Sequence, residues 1–267
     1  MNEIPAWTLR FTKEELYLIA GMLQTGNLLG FEDPFLGQLA DTVEIDLAAA
    51  QASLMDRGYL NHQADEEVNL DSTITTLVKA VTTSDKILVA VSTFGEDTSF
   101  WFYHFTPGLI VEQLELPNED IILTAIKNTQ ALTDRLRMLF ALKETFSTND
   151  FPSFLINMKE LSNLHQSTRE ELDLGTEALI DAGVPTETAP SLLSAIQEGR
   201  FIDSLVVLER GENGMEYGKK LNWLYGSKGI WLVNSIENND QTTFEINPIT
   251  FSGLEKELKL IAETLLC

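Results

Sequence analysis

The three histidines are the side chains best suited to act as general bases or metal ligands near neutral pH. They are His62, His104 and His165, and none stands at metal-ligand spacing from another histidine, a cysteine or an acidic cluster. His104 alternates with Phe100 and Phe102 along a predicted strand, a pattern typical of a structural or surface histidine. The sequence therefore predicts neither a metal site nor a catalytic histidine.

Other patterns that carry out catalysis are also missing from the sequence. It contains no glycine loop ending in Lys-Ser or Lys-Thr, no G-x-G-x-x-G and no G-x-S-x-G. Gly211 and Gly214 lie between two predicted strands, which indicates a hairpin turn. The acidic residues at 65–67 and 119–120 fit a loop and a helix start, and the single cysteine, Cys267, cannot form an internal disulfide. We expect no enzyme and no cofactor; an enzyme whose carboxylates come together from distant positions is the least favoured hypothesis.

The chain is strongly acidic, with 41 Asp and Glu against 18 Lys and Arg and a net charge of −23. Such a charge repels phosphate backbones, so we expect no binding to nucleic acid. No apolar run approaches the roughly 18 residues of a membrane span, and residues 1–5 lack the features of a secretory signal. We expect a cytoplasmic protein, a monomer or a homodimer. Its acidic surface is either simply solvated or suited to a basic or neutral partner.

The apolar residues change from helical to strand spacing and back again in each half of the chain. The first half predicts helices near 13–24, 47–57 and 70–82, strands at 87–94, 100–105 and 109–116, and a long helix from 118 to 146. Residues 147–152 resemble a linker. The second half predicts helices at 153–165, 168–182 and 187–198, strands at 205–209, 217–225, 230–236 and 242–246, and a closing helix from Phe251.

The two halves thus repeat one pattern of two helices, a three-stranded meander and a closing helix. Residues 54–58 and 179–183 each end a helix, and apolar and aromatic strands follow in both halves. A lone meander has unpaired edges, so two copies are expected to join into one sheet of about six strands. This predicts an α+β protein with two pseudo-twofold-related units, residues 1–146 and 147–267, that share a mainly antiparallel sheet flanked by helices. Two unrelated segments with a similar generic pattern are the alternative.

Five large aromatic residues lie on the predicted strands: Trp101, Tyr103, Trp223, Tyr225 and Trp231. Most should fill the core, but an exposed aromatic side chain often anchors a protein interface. Trp223 and Tyr225 share one predicted strand face. Together with Trp231, they are the candidate protein-binding residues.

The helices of the first third would also fit a winged-helix module, with residues 47–57 as its recognition helix. A helix that reads DNA needs basic or amide side chains facing phosphates and base edges. This segment offers four alanines, Gln51, Asp56 and one arginine, Arg57. A degenerate winged-helix-derived transcriptional regulator is therefore the alternative function.

Four segments of the second half follow one another in a distinctive order. They are the helix end and Gly-Val-Pro break at 178–185, the glycine hairpin at 211–214, Gly-Ile-Trp-Leu-Val at 229–233, and Phe-Glu-Ile-Asn-Pro at 244–248. With these segments and a closing helix, the chain resembles the EspG-like chaperones of type VII secretion systems. Residues 54–59 extend the resemblance to the first half. Family members usually carry a basic residue where Ile230 stands, and they are richer in Ala and Arg.

The resemblance implies a non-catalytic cytosolic chaperone that binds the apolar tip of a helical secretion substrate. Such a chaperone keeps the substrate soluble and directs it to the export machinery. The resemblance also implies that the binding patch lies on the sheet and flanking helices of the second unit, where an amphipathic helical hairpin would rest on an apolar surface.

Overall fold

The computed structural model describes residues 7–25, 28–30, 33–62, 68–94, 97–142, 151–157, 159–160, 176–198, 202–212, 214–238 and 241–265. Its helices are α1 (Lys13–Met22), α2 (Ala40–Asp56), α3 (Ser72–Thr83), α4 (Thr129–Leu139), α5 (Thr176–Asp181), α6 (Ala189–Gln197) and α7 (Phe251–Thr264). Its strands are β1 (Thr8–Phe11), β2 (Leu60–His62), β3 (Val68–Leu70), β4 (Lys86–Phe94), β5 (Asp97–Thr106), β6 (Leu109–Glu115), β7 (Ile121–Ile126), β8 (Phe154–Asn157), β9 (Asp203–Gly211), β10 (Gly214–Gly226), β11 (Gly229–Asn238) and β12 (Gln241–Pro248). His165, Cys267, the acidic residues at 65–67 and most of the predicted linker lie outside the described residues.

One sheet runs through the whole molecule in the order β1-β7-β6-β5-β4-β9-β10-β11-β12-β8, with antiparallel pairing throughout. From the centre outwards, each half contains a four-stranded meander. An edge strand that comes before the meander in sequence pairs with its last strand. The halves meet where β4 pairs with β9, with Lys86 opposite Glu209 and Val91 opposite Ser204. The predicted α+β fold, with two pseudo-twofold-related units that share an antiparallel sheet, is confirmed. We call the part with β1 and β4 to β7 the first unit, and the part with β8 to β12 the second unit.

The prediction of about six strands is too low, because the described residues place ten strands in this sheet, five from each unit. Strands β1, β7 and β8 of this sheet were missed, as was the separate pair formed by β2 and β3. β1 and β8 are the two edges of the sheet, where they pair with β7 and β12. Edge strands of four residues each carry too little periodicity to be recognised locally.

The predicted helix from 118 to 146 is wrong in its first part. Buried and less buried residues alternate through β7, Ile121–Ile126, which is the period of a strand. The acidic residues before it belong to a tight turn in which the Leu116 N–H donates to the Asp120 carbonyl over 2.8 Å. Helix α4 begins only after Asn128, whose side chain accepts a hydrogen bond from the Ala131 N–H.

The predicted helix at 153–165 is wrong over β8. Phe154 and Ile156 are buried, whereas Leu155 between them is 56% exposed, and the strand pairs with β12. Such alternation fits a strand that has one face on the core. The decisive contact, the pairing with β12, comes from residues about ninety positions later in the chain.

Side-chain caps also explain the start of three further helices. Thr12 and Glu15 form the predicted capping box of α1, with each side chain accepting from the backbone N–H of the other residue. Asp71 caps α3 by accepting from two N–H groups, and Thr250 caps α7. None of the described helices is long and apolar enough to span a membrane.

Helices cover both faces of the sheet. On one face, α4 and α7 pack against each other across the centre, where Arg137 and Glu255 form an ion pair at 3.0 Å. Beneath them lies a core built from residues of both units. On the other face, α1 and α3 cover the first unit, and α5 and α6 cover the second. The division of the chain between residues 146 and 147 falls outside the described residues and stays a prediction.

Candidate protein-binding surface

The three predicted protein-binding residues lie inside the fold. Trp223 and Trp231 are fully buried, and Tyr225 is 9% exposed. Trp223 points towards α4, where its ring centroid lies 4.7 Å from that of Phe140, and Trp231 packs into the core on the opposite face of the sheet. Neither indole N–H has a hydrogen-bond acceptor among the described residues. Direct contact with a partner would require β10 and β11 to open, so a role of these residues in binding stays a prediction.

A band of twelve side chains, nine of them at least partly exposed and Ile87, Val89 and His104 buried, crosses the centre of the sheet on the face that carries α1, α3, α5 and α6. Residues opposite each other on antiparallel strands share a face, so the register defines this band. We call it the central strip. Its three rows run across β5, β4, β9 and β10, and they are Phe100, Val91, Ser204 and Asn222; Phe102, Val89, Val206 and Lys220; and His104, Ile87, Leu208 and Tyr217.

The central strip lies between two layers of helices. Helix α3 packs on β5, β6 and β7, and α6 packs on β10 and β11, so β4 and β9 run between the two layers. Val91, Val206 and Leu208 are therefore only half-buried, although they stand on the two innermost strands of the sheet. Exposed apolar surface at the centre of a sheet is typical of a place that receives another element.

Two exposed aromatic residues, Phe100 and Tyr217, stand at diagonal corners of the central strip. Phe100 is 50% exposed and Tyr217 is 87% exposed. Each is the fourth residue of the second meander strand in its unit, so the two positions are equivalent in the pseudo-twofold arrangement. Aromatic side chains that combine apolar area with few rotatable bonds are common interface anchors.

Sequence patterns did not identify Phe100 and Tyr217 as exposed residues. Which side chains of a strand face the core depends on its pleat and pairing, and composition does not show this. Tyr217 and Trp223 are six residues apart and would share a face in a regular strand. The register of β10 against β9 shifts between Tyr217 and Lys220, which is the signature of a bulge. This shift places Trp223 in the core and Tyr217 on the outside. Gly218, a glycine inside a predicted strand, was the one feature of the sequence that indicated a bulge.

A shallow hollow of about 550 Å³ extends the strip beyond Phe100. Its apolar lining includes Phe100, Trp101, Phe102, Leu114 and Pro117. Strand β5 pairs with β6 only from Trp101 onwards, so the start of β5 forms one wall. The hollow adds apolar area to the first-unit end of the strip.

His104 belongs to the strip by register but is fully buried. Its Nδ1 lies 3.0 Å from Ser84 Oγ, and its Nε2 lies 3.0 Å from Gln113 Oε1. Burial lowers the pKa of His104 to about 4, against a smaller raising effect of the Gln113 hydrogen bond. A neutral imidazole held by two neutral partners is structural, as one of the two sequence interpretations predicts. Among the described residues, no group of three or more His, Cys, Asp and Glu side chains is placed to hold a metal ion.

Helix α2 contains the segment considered as a recognition helix. Arg57 directly after it is already engaged, since its guanidinium pairs with Glu15, donates to the Arg10 carbonyl over 2.7 Å and lies 4.6 Å from the centroid of the Tyr59 ring. The rest of the helix has no basic residue. The structure therefore offers no cation on this helix for a phosphate backbone.

The fold itself has a known counterpart. The chain is similar to the Mycobacterium tuberculosis type VII secretion system chaperone EspG5, solved in complex with the PE25–PPE41 dimer. The TM-score is 0.63, and the similarity covers 97% of this chain and 96% of that chain at 11% sequence identity. The chain has an EspG-like fold.

The EspG-like fold is shared with very little sequence. No protein-family model matches the chain, and no curated protein matches it. The similarity to EspG5 nonetheless spans both units and is not limited to the second, where most of the resembling residues lie. The coverage of both chains indicates the same overall arrangement of units from end to end.

Proposed function

We propose that the chain is a non-catalytic chaperone or adaptor that binds a helical protein partner in the cytoplasm. The observation that carries the proposal is the similarity, over nearly the whole of both chains, to a secretion chaperone solved together with a PE25–PPE41 dimer. By analogy, the partner is a secretion substrate with an apolar helical tip. The chaperone covers that tip until export.

The central strip is the proposed docking surface. Half of it, on β9 and β10, belongs to the second unit, which the family resemblance implies as the binding unit. A helical hairpin laid over the strip would bury Val91, Val206 and Leu208 between the two helix layers, with Phe100 and Tyr217 closing its ends. Burying a fully exposed side chain of this kind contributes about 1.5–3 kcal/mol, so each of these half-buried side chains would contribute roughly half of that. Trp223, Tyr225 and Trp231 contribute by supporting β10 and β11 from inside.

The charge of the strip suits an apolar partner. Lys220 is its only charged residue, because His104 is neutral at physiological pH, while the chain as a whole carries −23. Docking on the strip therefore desolvates few charges, and this desolvation is the main cost of binding a helix on a charged surface. The surrounding acidic surface keeps the chaperone soluble and favours neutral or basic partners.

The direct test is co-expression with the helical proteins encoded by neighbouring genes, scored by co-purification in a 1:1 complex. We expect one neighbour to form the complex, and we expect Tyr217→Glu and Phe100→Glu each to weaken it at least about tenfold, because a carboxylate would be buried in an apolar contact. The matched control is Met138→Glu, which adds the same charge at a 67% exposed apolar residue on α4, on the opposite face of the sheet.

Two results would contradict the proposal in different ways. If no neighbouring helical protein co-purifies, the chaperone function is wrong. If a complex forms but Met138→Glu weakens it as much as Tyr217→Glu and Phe100→Glu do, the function stands and the central strip is not the docking surface.

A further inference from the structure

The N-terminal half of α2 packs only lightly against the other residues that the structure describes. Of the 17 residues of α2, Ala50 and Leu54 are buried, and residues 40–49 include no buried side chain. The inward row of this half, Val43 and Leu47, is only half-buried. The fully buried residues of α2 thus lie in its C-terminal half, and its N-terminal half is only lightly packed.

A second apolar row runs along the outer side of α2. Ile45, Ala48, Ala49 and Ala52 follow one another at the three- and four-residue spacing of a single helix face, and all four are exposed. Ala49, at the edge of this face, also lines a hollow against the start of α1. Ile45 is 68% exposed. Leu36 and Leu39, just before the helix, are 80% and 78% exposed. A helix with apolar rows on opposite sides normally has neighbours on both sides.

The local sequence does little to hold this half of α2 in helical form. Its N-cap is Leu39, which makes no side-chain cap hydrogen bond, whereas α1, α3 and α7 have side-chain caps. A missing cap costs about 1 kcal/mol, and a helical stretch of ten unpacked residues is marginal in water. Asp41 in the first turn is a favourable local feature. Packing against another molecule would supply the missing stabilisation.

The charges around the outer row indicate what that molecule is. At 100° per residue, Glu44 and Asp46 lie on either side of Ile45, and Asp41 and Asp56 lie near the two ends of the row. Residues 33–56 contain five carboxylates and no Lys, Arg or His. A second copy of this chain would bring like charges together, which disfavours self-association through this row. A helix with an apolar stripe bordered by Lys and Arg would match both the apolar row and the carboxylates around it.

We infer that the outer face of α2, formed by Leu36, Leu39, Ile45, Ala48, Ala49 and Ala52, is a second protein-binding surface that receives a basic amphipathic helix of another protein. It lies on the first unit, on a helix outside the central strip, and goes beyond the chaperone proposal. An adaptor with both surfaces would contact two helical partners, or two parts of one.

The test uses synthetic amphipathic peptides of about 18 residues, five helical turns, with a Leu stripe bordered either by Lys or by Glu. They are titrated into the full chain at about 0.15 M salt to screen unspecific attraction. We expect the Lys-bordered peptide to bind and the Glu-bordered peptide to bind at least about tenfold more weakly. Ile45→Glu should weaken binding of the Lys-bordered peptide about tenfold, although it adds a negative charge. Met138→Glu, with the same charge change at another exposed apolar residue, should not.

Opposite outcomes overturn the inference. If Ile45→Glu leaves binding unchanged or strengthens it, the attraction is electrostatic and involves no apolar docking on α2. If both peptides bind equally, or neither binds, the charge argument is wrong. Because Ile45 is exposed, an unchanged thermal unfolding curve for the variant will show that its fold is intact.

Hydrogen exchange provides a second readout. Backbone amides in residues 43–49 should exchange much faster than those of α3 in the free protein and should slow about tenfold or more when the Lys-bordered peptide binds. If these amides are already as protected as those of α3 in the free protein, the N-terminal half of α2 is stable by itself and the inference loses its basis. Neither measurement needs a secretion substrate, so failure here is distinct from failure of the chaperone proposal.

Discussion

His104 lies in a buried hydrogen-bond chain that joins four parts of the first unit. Ser84 contributes the end of α3, His104 lies on β5, Gln113 lies on β6, and the Gln113 side chain donates to the Leu29 carbonyl over 2.7 Å. In water, protonation of an imidazole costs little near pH 6, but here it would place a charge among neutral buried groups. The folded state therefore prefers the neutral histidine.

The chain should lose stability in mild acid because of His104. Its folded pKa of about 4 lies below the usual 6.5, so between these values the unfolded state binds more protons than the folded state. The histidine's contribution to the free energy of unfolding should fall as pH drops from about 6.5 to about 4, by an amount on the order of 3 kcal/mol. Urea unfolding at pH 7 and pH 4.5 measures this change in the free energy of unfolding.

The variant His104→Asn isolates this effect from the titration of carboxylates. It should be less stable than the wild type at pH 7, where it disturbs the hydrogen-bond chain, but its loss of stability on acidification should be smaller. Equal pH dependence of wild type and variant would show that His104 titrates normally, and hence that it is reached by water.

At the scale of elements, the bulge in β10 decides which aromatic residues face inwards. Trp223 lies edge-to-face against Phe140, with the two rings at 80°, whereas Tyr217, before the bulge, is exposed to solvent. Trp223→Ala should lower the free energy of unfolding by about 3–5 kcal/mol because it opens a cavity in the shared core. Tyr217→Ala should change it by less than about 0.5 kcal/mol.

Urea unfolding of the two variants checks this contrast, with the wild type as reference. Co-purification of the same variants with a partner gives the complementary result, since Tyr217→Ala should weaken the complex without loss of fold. A large loss of stability in Tyr217→Ala would place this residue in the core and exclude it as an anchor.

The first three strands of each four-stranded meander could be predicted from sequence because their signals are local. Strands β4, β5, β6 and β9 to β11 carry continuous apolar and aromatic runs that are separated by turn residues. β7 could not be predicted, because the acidic turn before it has the same composition as a helix start and its strand character depends on pairing with β6 and β1. The outward position of Tyr217 could not be predicted either, since a bulge changes the face without changing the composition.

At the scale of the whole molecule, the two units share one core. Leu88 and Ala90 of β4 and Leu205 and Val207 of β9 are buried together under α4 and α7, which come from different units. The central strip also exists only where the two units meet, since half of each row comes from each unit. Fold and proposed docking surface therefore depend on the same joint between β4 and β9.

This joint makes each unit dependent on the other. A fragment of residues 1–146 would expose the free edge of β4 and the part of the core that α7 covers, and a fragment of residues 147–267 would expose β9 and the surface beneath α4. Unpaired apolar edges of this kind aggregate or remain loosely packed.

We expect neither fragment alone to unfold cooperatively, and we expect a mixture of the two to recover a cooperative transition and 1:1 association. Calorimetry and analytical ultracentrifugation measure both. A fragment that folds cooperatively alone would show that the units are independent domains. The central strip would then form when two folded units dock, and not when one sheet folds.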